Sequence, residues 1–159
     1  MKNINLSNGG ISVVDDEDYE RVKHIPWYRF DGKTTSYVAA KIKNKNGEWV
    51  TERLHRFLIS PDPHQVVDHI DGDGLNNQKS NLRICLQSQN TKNCSLYKTS
   101  TTGYKGVTKK IVRGIVKWSA RIQVDKKRLS LGLFTSPEEA YAAYCEASQK
   151  YHGQFGKVK

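Results

Sequence analysis

Apolar positions in the first half of this chain come in short bursts. Ile11-Ser12-Val13-Val14, Trp27-Tyr28-Arg29-Phe30, Ser36-Tyr37-Val38-Ala39-Ala40 and Trp49-Val50 are separated by the Gly/Asn/Lys turns 31–33 and 44–47. Bursts of this length between turn residues predict short strands. Asp15-Asp16-Glu17-Asp18 predicts the first turn of a short helix, where acids favour the dipole. Thr51 to Leu58 predicts a second helix ending before Pro61. Further on the pattern sharpens: Trp118, Ala120, Ile122 and Val124 alternate with Lys117, Ser119, Arg121 and Gln123, the period of a half-buried strand. Asp125-Lys126-Lys127 turns the chain, and Leu129, Leu131 and Leu133 alternate with Arg128, Ser130 and Gly132. Ser136-Pro137-Glu138-Glu139 then gives an N-cap, a first-turn proline and a capping-box acid. Ala140, Tyr144, Ala147 and Tyr151 form one helical stripe, with Gly153 as its C-cap.

This order predicts an α+β protein of two modules. Residues 1–95 form the first, 96–102 a polar linker and 103–159 the second, in which two or three antiparallel strands pack on one helix. The helix covers the apolar sheet face, so Lys117, Arg121, Gln123 and Arg128 gather on the open one.

Composition adds a partner. The chain has 159 residues, 36% hydrophobic and 26% charged, which is globular rather than disordered. No apolar run approaches the roughly 18 residues of a membrane span, and Met1-Lys2-Asn3-Ile4-Asn5 lacks the apolar core of a signal peptide, so an intracellular setting and no membrane partner are expected. Cys85, Cys94 and Cys145 make an odd number without a CxxC pair, which argues against a disulfide framework or a cysteine-rich zinc site. Net charge is +10, unevenly placed: residues 1–95 hold 13 Lys/Arg against 12 Asp/Glu, and residues 96–159 hold 13 against 4. A positive field concentrated in the second module points to a polyanion, with nucleic acid first. On an open sheet face Arg suits guanine, Gln adenine and Lys phosphate.

The chemistry sits in Val67-Asp68-His69-Ile70-Asp71-Gly72-Asp73-Gly74-Leu75-Asn76-Asn77, followed by Ser80-Asn81-Leu82-Arg83 and by Asn90. Cutting a phosphodiester with a metal needs oxygen ligands, a base for water and something to aim that base. Asp68 is a hard oxygen ligand suited to Mg²⁺. His69, with an ordinary pKa of about 6.5, is a general base. Asn90, on a helix starting near Ser88, can add a neutral oxygen ligand. Asn81 can fix the loop or hydrogen-bond His69 so that the other ring nitrogen faces the water. Adjacent residues face opposite sides of a regular strand, so Asp68 and His69 share a site only where the strand bends or ends, as the Gly72/Gly74 turn allows. Asp71 and Asp73 do not make a calcium loop, because the Gly and closing Glu of that pattern are absent. His55 and His64 are further candidate ligands; His55, beside Arg56, reads as structural or as a phosphate contact, and His64, just after Pro61 and Pro63, as exposed.

Taken together, Leu54-His55-Arg56, Val67 to Gly72, Asn76-Asn77, Asn81-Leu82-Arg83 and Gln89-Asn90 resemble the HNH nucleases of phage and intron homing-endonuclease type. The resemblance covers roughly residues 50–95. It implies a ββα-metal fold in which two strands and a helix hold one divalent ion, Mg²⁺ or Mn²⁺, on Asp68 and Asn90. His69 is then the general base, and Asn81 supports the loop. Gly103 to Val107, Lys117 to Ile122, Leu131 to Phe134 and Glu138 to Tyr144 are similar to the Apetala/ethylene-response-factor DNA-binding domain, over about residues 102–156. That likeness implies a three-stranded sheet in the major groove, with Lys105, Lys110, Arg121, Gln123 and Arg128 facing DNA. Thr108 and Ser130 stand where plant members tend to carry Arg and Trp, which puts the plant target sequence aside but not DNA binding.

The expected function is a divalent-metal-dependent endonuclease on double-stranded DNA, acting as a monomer or homodimer. A non-cleaving DNA-binding regulator is the alternative. RNA binding is a weaker third, because the open face lacks aromatic stacking residues.

Overall fold

A computed structural model describes residues 1–32, 35–93, 100–156 and 158. The chain is mixed α+β and divides into two units, Met1–Asn90 and Thr91–Lys159. Most of the expected linker, together with Cys94, lies outside the described residues.

The first unit is built from small antiparallel sheets. β1 (Lys2–Asn5) pairs with β2 (Ile11–Val14), and α1 (Asp16–Val22) follows with Asp16, Glu17 and Asp18 in its first turn. β3 (Tyr28–Asp31), β4 (Ser36–Lys43) and β5 (Trp49–Arg53) form a meander with β4 central. α2 (Leu54–Ile59) leads to β6 (Val66–His69), which pairs with β7 (Leu82–Cys85) before the single-turn α3 (Gln87–Asn90). Val14, Val22, Trp27, Val38, Ala40 and Leu54 form the centre of the core, joined by Leu58, Val67 and Leu82. Trp27 also donates its indole N–H to the Val22 carbonyl at 2.9 Å, so its polar atom is satisfied inside that core.

The helix expected from Thr51 begins only at Leu54. Thr51, Glu52 and Arg53 continue β5, opposite Lys41, Ala40 and Ala39. Pairing along β4 satisfies more backbone than a first helical turn would, and β-branched Val50 and Thr51 suit a strand. α2 stops at Ser60, which is left-handed at φ 48° immediately before Pro61. β1 and β7 are strands that the hydrophobic pattern did not announce.

In the second unit β8 (Val107–Val112), β9 (Ile115–Val124) and β10 (Lys127–Phe134) form an antiparallel sheet with β9 central, packed on α4 (Pro137–His152). Ala120, Ile122, Val107, Ala140, Tyr144 and Ala147 are buried between sheet and helix. Ser136 caps α4 by accepting from the Glu139 N–H at 3.1 Å. Glu139 reaches back to the N–H and hydroxyl of Thr135 rather than to Ser136, one residue further than the usual capping box. The Asp125-Lys126 turn has φ 46° and 66°, the mirror-image turn that matches strand twist.

The alternation expected for β10 fails part-way. Leu129 lies opposite Ile122 and Ser130 opposite Arg121, but Gly132 rather than Leu131 lies opposite Ala120. Leu131 is the extra residue of a β-bulge, with Gly132 at φ 135°. Beyond the bulge the faces exchange. Leu131 and Phe134 pack on the core, whereas Leu133 stands 51% exposed on the face away from the helix.

Candidate active site

Asp68 and His69 end β6, and both are buried, at 6% and 5% exposure. Cross-strand register places Asp68 opposite Arg83 and His69 opposite Leu82. Arg83 donates from Nε at 2.9 Å and from Nη2 at 2.6 Å, both to Asp68 Oδ2. A buried carboxylate is costly unless paired, and this guanidinium supplies the charge-assisted bonds that keep it.

His69 is oriented by Asn77, not Asn81. Its Nε2 lies 3.3 Å from Asn77 Oδ1. Asn77 is fully buried and donates from Nδ2 to Ser12 Oγ at 3.0 Å and to the Gly74 carbonyl at 3.3 Å. Ser12 in turn donates to the Leu75 carbonyl at 2.8 Å. With both Nδ2 hydrogens spoken for, the Asn77 amide can face His69 only with its oxygen. The imidazole hydrogen is thereby held on Nε2, and the lone pair of the neutral ring is on Nδ1.

Asn81 takes the loop role. Its Nδ2 donates to Asp71 Oδ1 and to the Asn76 carbonyl, each at 2.9 Å, and its Oδ1 accepts from the Asp71 N–H at 3.0 Å. Asp71 also accepts from Asp73 N–H at 2.8 Å and from Asn76 Nδ2 at 2.8 Å. Burial would raise the Asp71 carboxyl, but these donors outweigh it and hold the pKa below its ordinary value. The acids of this turn therefore build the turn. Gly74 is required there, since a Cβ would fall 2.2 Å from the Ser36 carbonyl oxygen.

Two rings flank His69. His55, buried at the start of α2, meets it edge to face with centroids 5.0 Å apart, and Tyr37 of β4 lies 6.0 Å away. Burial, followed by the charges of His69, Arg53 and Arg56, pushes the His55 pKa down to about 3. Burial also lowers the His69 pKa, against the opposing pull of Asn77 and the carboxylates of Asp71, Asp68 and Asp73. Both imidazoles are neutral at neutral pH, the state in which a base can take a proton.

Asn90 is the last residue of α3, half-buried, with its N–H on the Leu86 carbonyl at 3.0 Å; α3 lies against β6. Asp68 and Asn90 are thus on a strand and on the turn of helix packed against it. Among the described residues no three His, Cys, Asp or Glu side chains come together to hold a metal ion. An ion here would rest on a carboxylate and an amide oxygen, a hard donor set of the kind Mg²⁺ accepts while keeping several waters. Asn77, Ser12, Tyr37, His55 and Arg83 are the partners that sequence spacing did not assign. Asn77 had a signal, as the second Asn after the turn; Ser12, far away in the chain, had none.

In the second unit Lys110, Lys117, Arg121, Gln123 and Arg128 share one sheet face. Lys117, Arg121 and Gln123 alternate along β9, Lys110 is opposite Lys117, and Arg128 is opposite Gln123. Lys105 differs: it sits in the turn before β8, and its Nζ donates to the Lys92 carbonyl at 3.0 Å.

Comparison with known proteins finds the chain 30% identical over 95 residues to Protein 3.8 of Escherichia phage T7, covering 58% of this chain and 74% of the phage protein. The chain belongs to the Protein 3.8 family. No protein-family model matches it, and no solved structure matches it. Among the described residues of this Protein 3.8 family member, no helix is long and apolar enough to cross a membrane.

Proposed function

We propose that the protein is an HNH-type, divalent-metal-dependent DNA endonuclease of the mobile, homing kind. The observation that carries this reading is the neutral His69 ring, held by Asn77 with its lone pair on Nδ1, next to the Asp68 carboxylate. In this reading Nδ1 takes the proton of a water that attacks the phosphorus in line with the departing 3′ oxygen. Asp68 and Asn90 would hold the Mg²⁺ or Mn²⁺ ion, which stabilises negative charge on the phosphoryl group and the leaving oxygen when bound. Asn81 keeps the 70–76 turn in place beside the base. Tyr37 and His55 restrict water around the ring. One such site per chain makes the elementary event a single-strand nick.

The cationic face of β8–β9–β10 supports the partner. Lys110, Lys117 and Arg128 would meet phosphates, and Arg121 and Gln123 base edges. The test is supercoiled plasmid incubated with the protein in Mg²⁺ and in EDTA, beside His69→Ala. Nicking that needs the metal and vanishes in the variant, with gel-shift affinity retained, is expected. Equal cutting by His69→Ala would remove the base assignment.

A second reading, a non-cleaving DNA-binding regulator, is favoured by Arg83, whose guanidinium occupies Asp68 Oδ2. Tight binding without nicking in either Mg²⁺ or Mn²⁺ would select it.

A further inference from the structure

β9 is longer than the sheet it centres. β10 pairs with it only from Val124 to Trp118, so the segment Ile115–Lys117 has β8 alone as a neighbour. The result is a two-stranded arm projecting past the third strand, built from the pairs Lys110–Lys117, Ile111–Val116 and Val112–Ile115 and closed by Arg113-Gly114. Arg113 and Gly114 have φ 50° and 78°, the mirror-image two-residue turn that matches strand twist and gives a defined tip rather than a slack loop.

The tip is apolar on both sides and belongs to no core cluster of the described residues. Ile111 is 73% exposed, Ile115 61%, Val116 43% and Val112 37%. Folding gains nothing from four branched apolar side chains in water, so their use lies with a partner. The charge around them says which kind. Lys109, Lys110, Arg113 and Lys117 surround the tip, and no acid occurs anywhere from residue 100 to 124. An apolar protein partner would not need that field; a polyanion would. By register, Val112 and Ile115 lie on the same sheet face as Lys117 and Arg121, and Ile111 and Val116 on the opposite one, so the tip extends the cationic face and carries apolar side chains on either side of its edge.

We propose that the β8–β9 arm is a wedge that inserts Ile111 and Ile115 between base steps of the duplex held by the adjoining cationic face, unstacking and bending it. This rests on the DNA-binding reading above. Cations flanking an apolar wedge are the chemistry that makes such insertion favourable: phosphate contacts hold the duplex while branched side chains replace the lost stacking. Bending at the end of the contacted stretch also lets a stiff duplex meet more of the protein.

The experiment relaxes a closed circular supercoiled plasmid with a metal-independent type I topoisomerase in EDTA, with the full-length protein bound, and reads the linking number after deproteinisation. Ile111→Thr/Ile115→Thr is the comparison, because threonine keeps the β-branching and both sites are exposed. Gel shifts on a 40-base-pair duplex and binding to vesicles of phosphatidylcholine with phosphatidylglycerol run alongside. Expected are a linking-number change that grows with wild-type protein, its loss in the double variant, and affinities within about 10-fold of each other. Binding by both proteins with no linking-number change from wild type, or the same change from both, would overturn the wedge and leave DNA binding standing. No binding to DNA by either would overturn the DNA reading beneath it. Vesicle binding that needs the two isoleucines, without an effect on DNA, would assign the tip to an anionic membrane surface and overturn the wedge. The wild-type topology measurement stands by itself even where the variant fails to fold.

Discussion

Lowering the pH from 7.5 to 5.0 should destabilise the first unit, and His55 is the main reason. His55 is buried at 5% exposure, and its pKa falls from an ordinary 6.5 to about 3. The folded state therefore binds the proton more weakly than the unfolded chain. Its contribution is fully present above pH 6.5 and is lost as pH falls from 6.5 towards 3. At pH 5.0 the unfolded imidazole is almost fully protonated while the folded one is almost fully neutral, which amounts to about 2 kcal/mol. His69 is depressed in the same direction and adds to the loss in the same window. Carboxylates contribute little there, since most remain ionised at pH 5.0. The assay is urea unfolding at both pH values, followed through the indole N–H resonance of Trp27, which is bonded to the Val22 carbonyl in the core of this unit. His55→Gln should remove about 2 kcal/mol of the pH dependence and leave only the part due to His69. Equal stability of the wild-type unit at the two pH values, or an unchanged pH dependence in His55→Gln, would refute the burial argument.

Asn77→Ala should cost the first unit about 2–4 kcal/mol in urea unfolding, because it strands the buried His69 Nε2 and Gly74 carbonyl, and should slow nicking at least about 10-fold. Gly106→Ala should abolish the folded signal of Trp118: at φ 75° its Cβ would fall 2.2 Å from Tyr144 Cδ2 and 2.7 Å from the Arg121 carbonyl oxygen, and native-like near-ultraviolet circular dichroism would contradict that. DNA affinity should fall with salt at a log–log slope of roughly −4 to −5, as for about five neutralised phosphates, and a flat response would contradict phosphate contacts by the open face. Arg121→Ala should alter sequence preference measured by selection from a random duplex pool, whereas Lys110→Ala should weaken all sequences alike.

Period-2 alternation in residues 117–124 and the signals at Ser136, Pro137 and Gly153 determined by themselves where β9 and α4 run. Those signals are local, and a strand pairing with its hairpin neighbour asks only for residues nearby in the chain. The Asp68-His69 pair and its turn were legible for the same reason. Local pattern misjudged the start of α2, where pairing with β4 claimed Thr51 to Arg53, and the phase of β10, where one bulged residue moved Leu133 to the open face. Tertiary structure alone decided which asparagine orients His69. Asn77 and Asn81 are equivalent in sequence, four residues apart after one turn, but only Asn77 meets Ser12 of β2, and that meeting depends on a sheet formed some sixty residues earlier. The Arg83–Asp68 pair and the His55–His69 contact are likewise products of register and packing. A single chain pattern carries neither, because long-range pairing energy is not written in the spacing of any one segment.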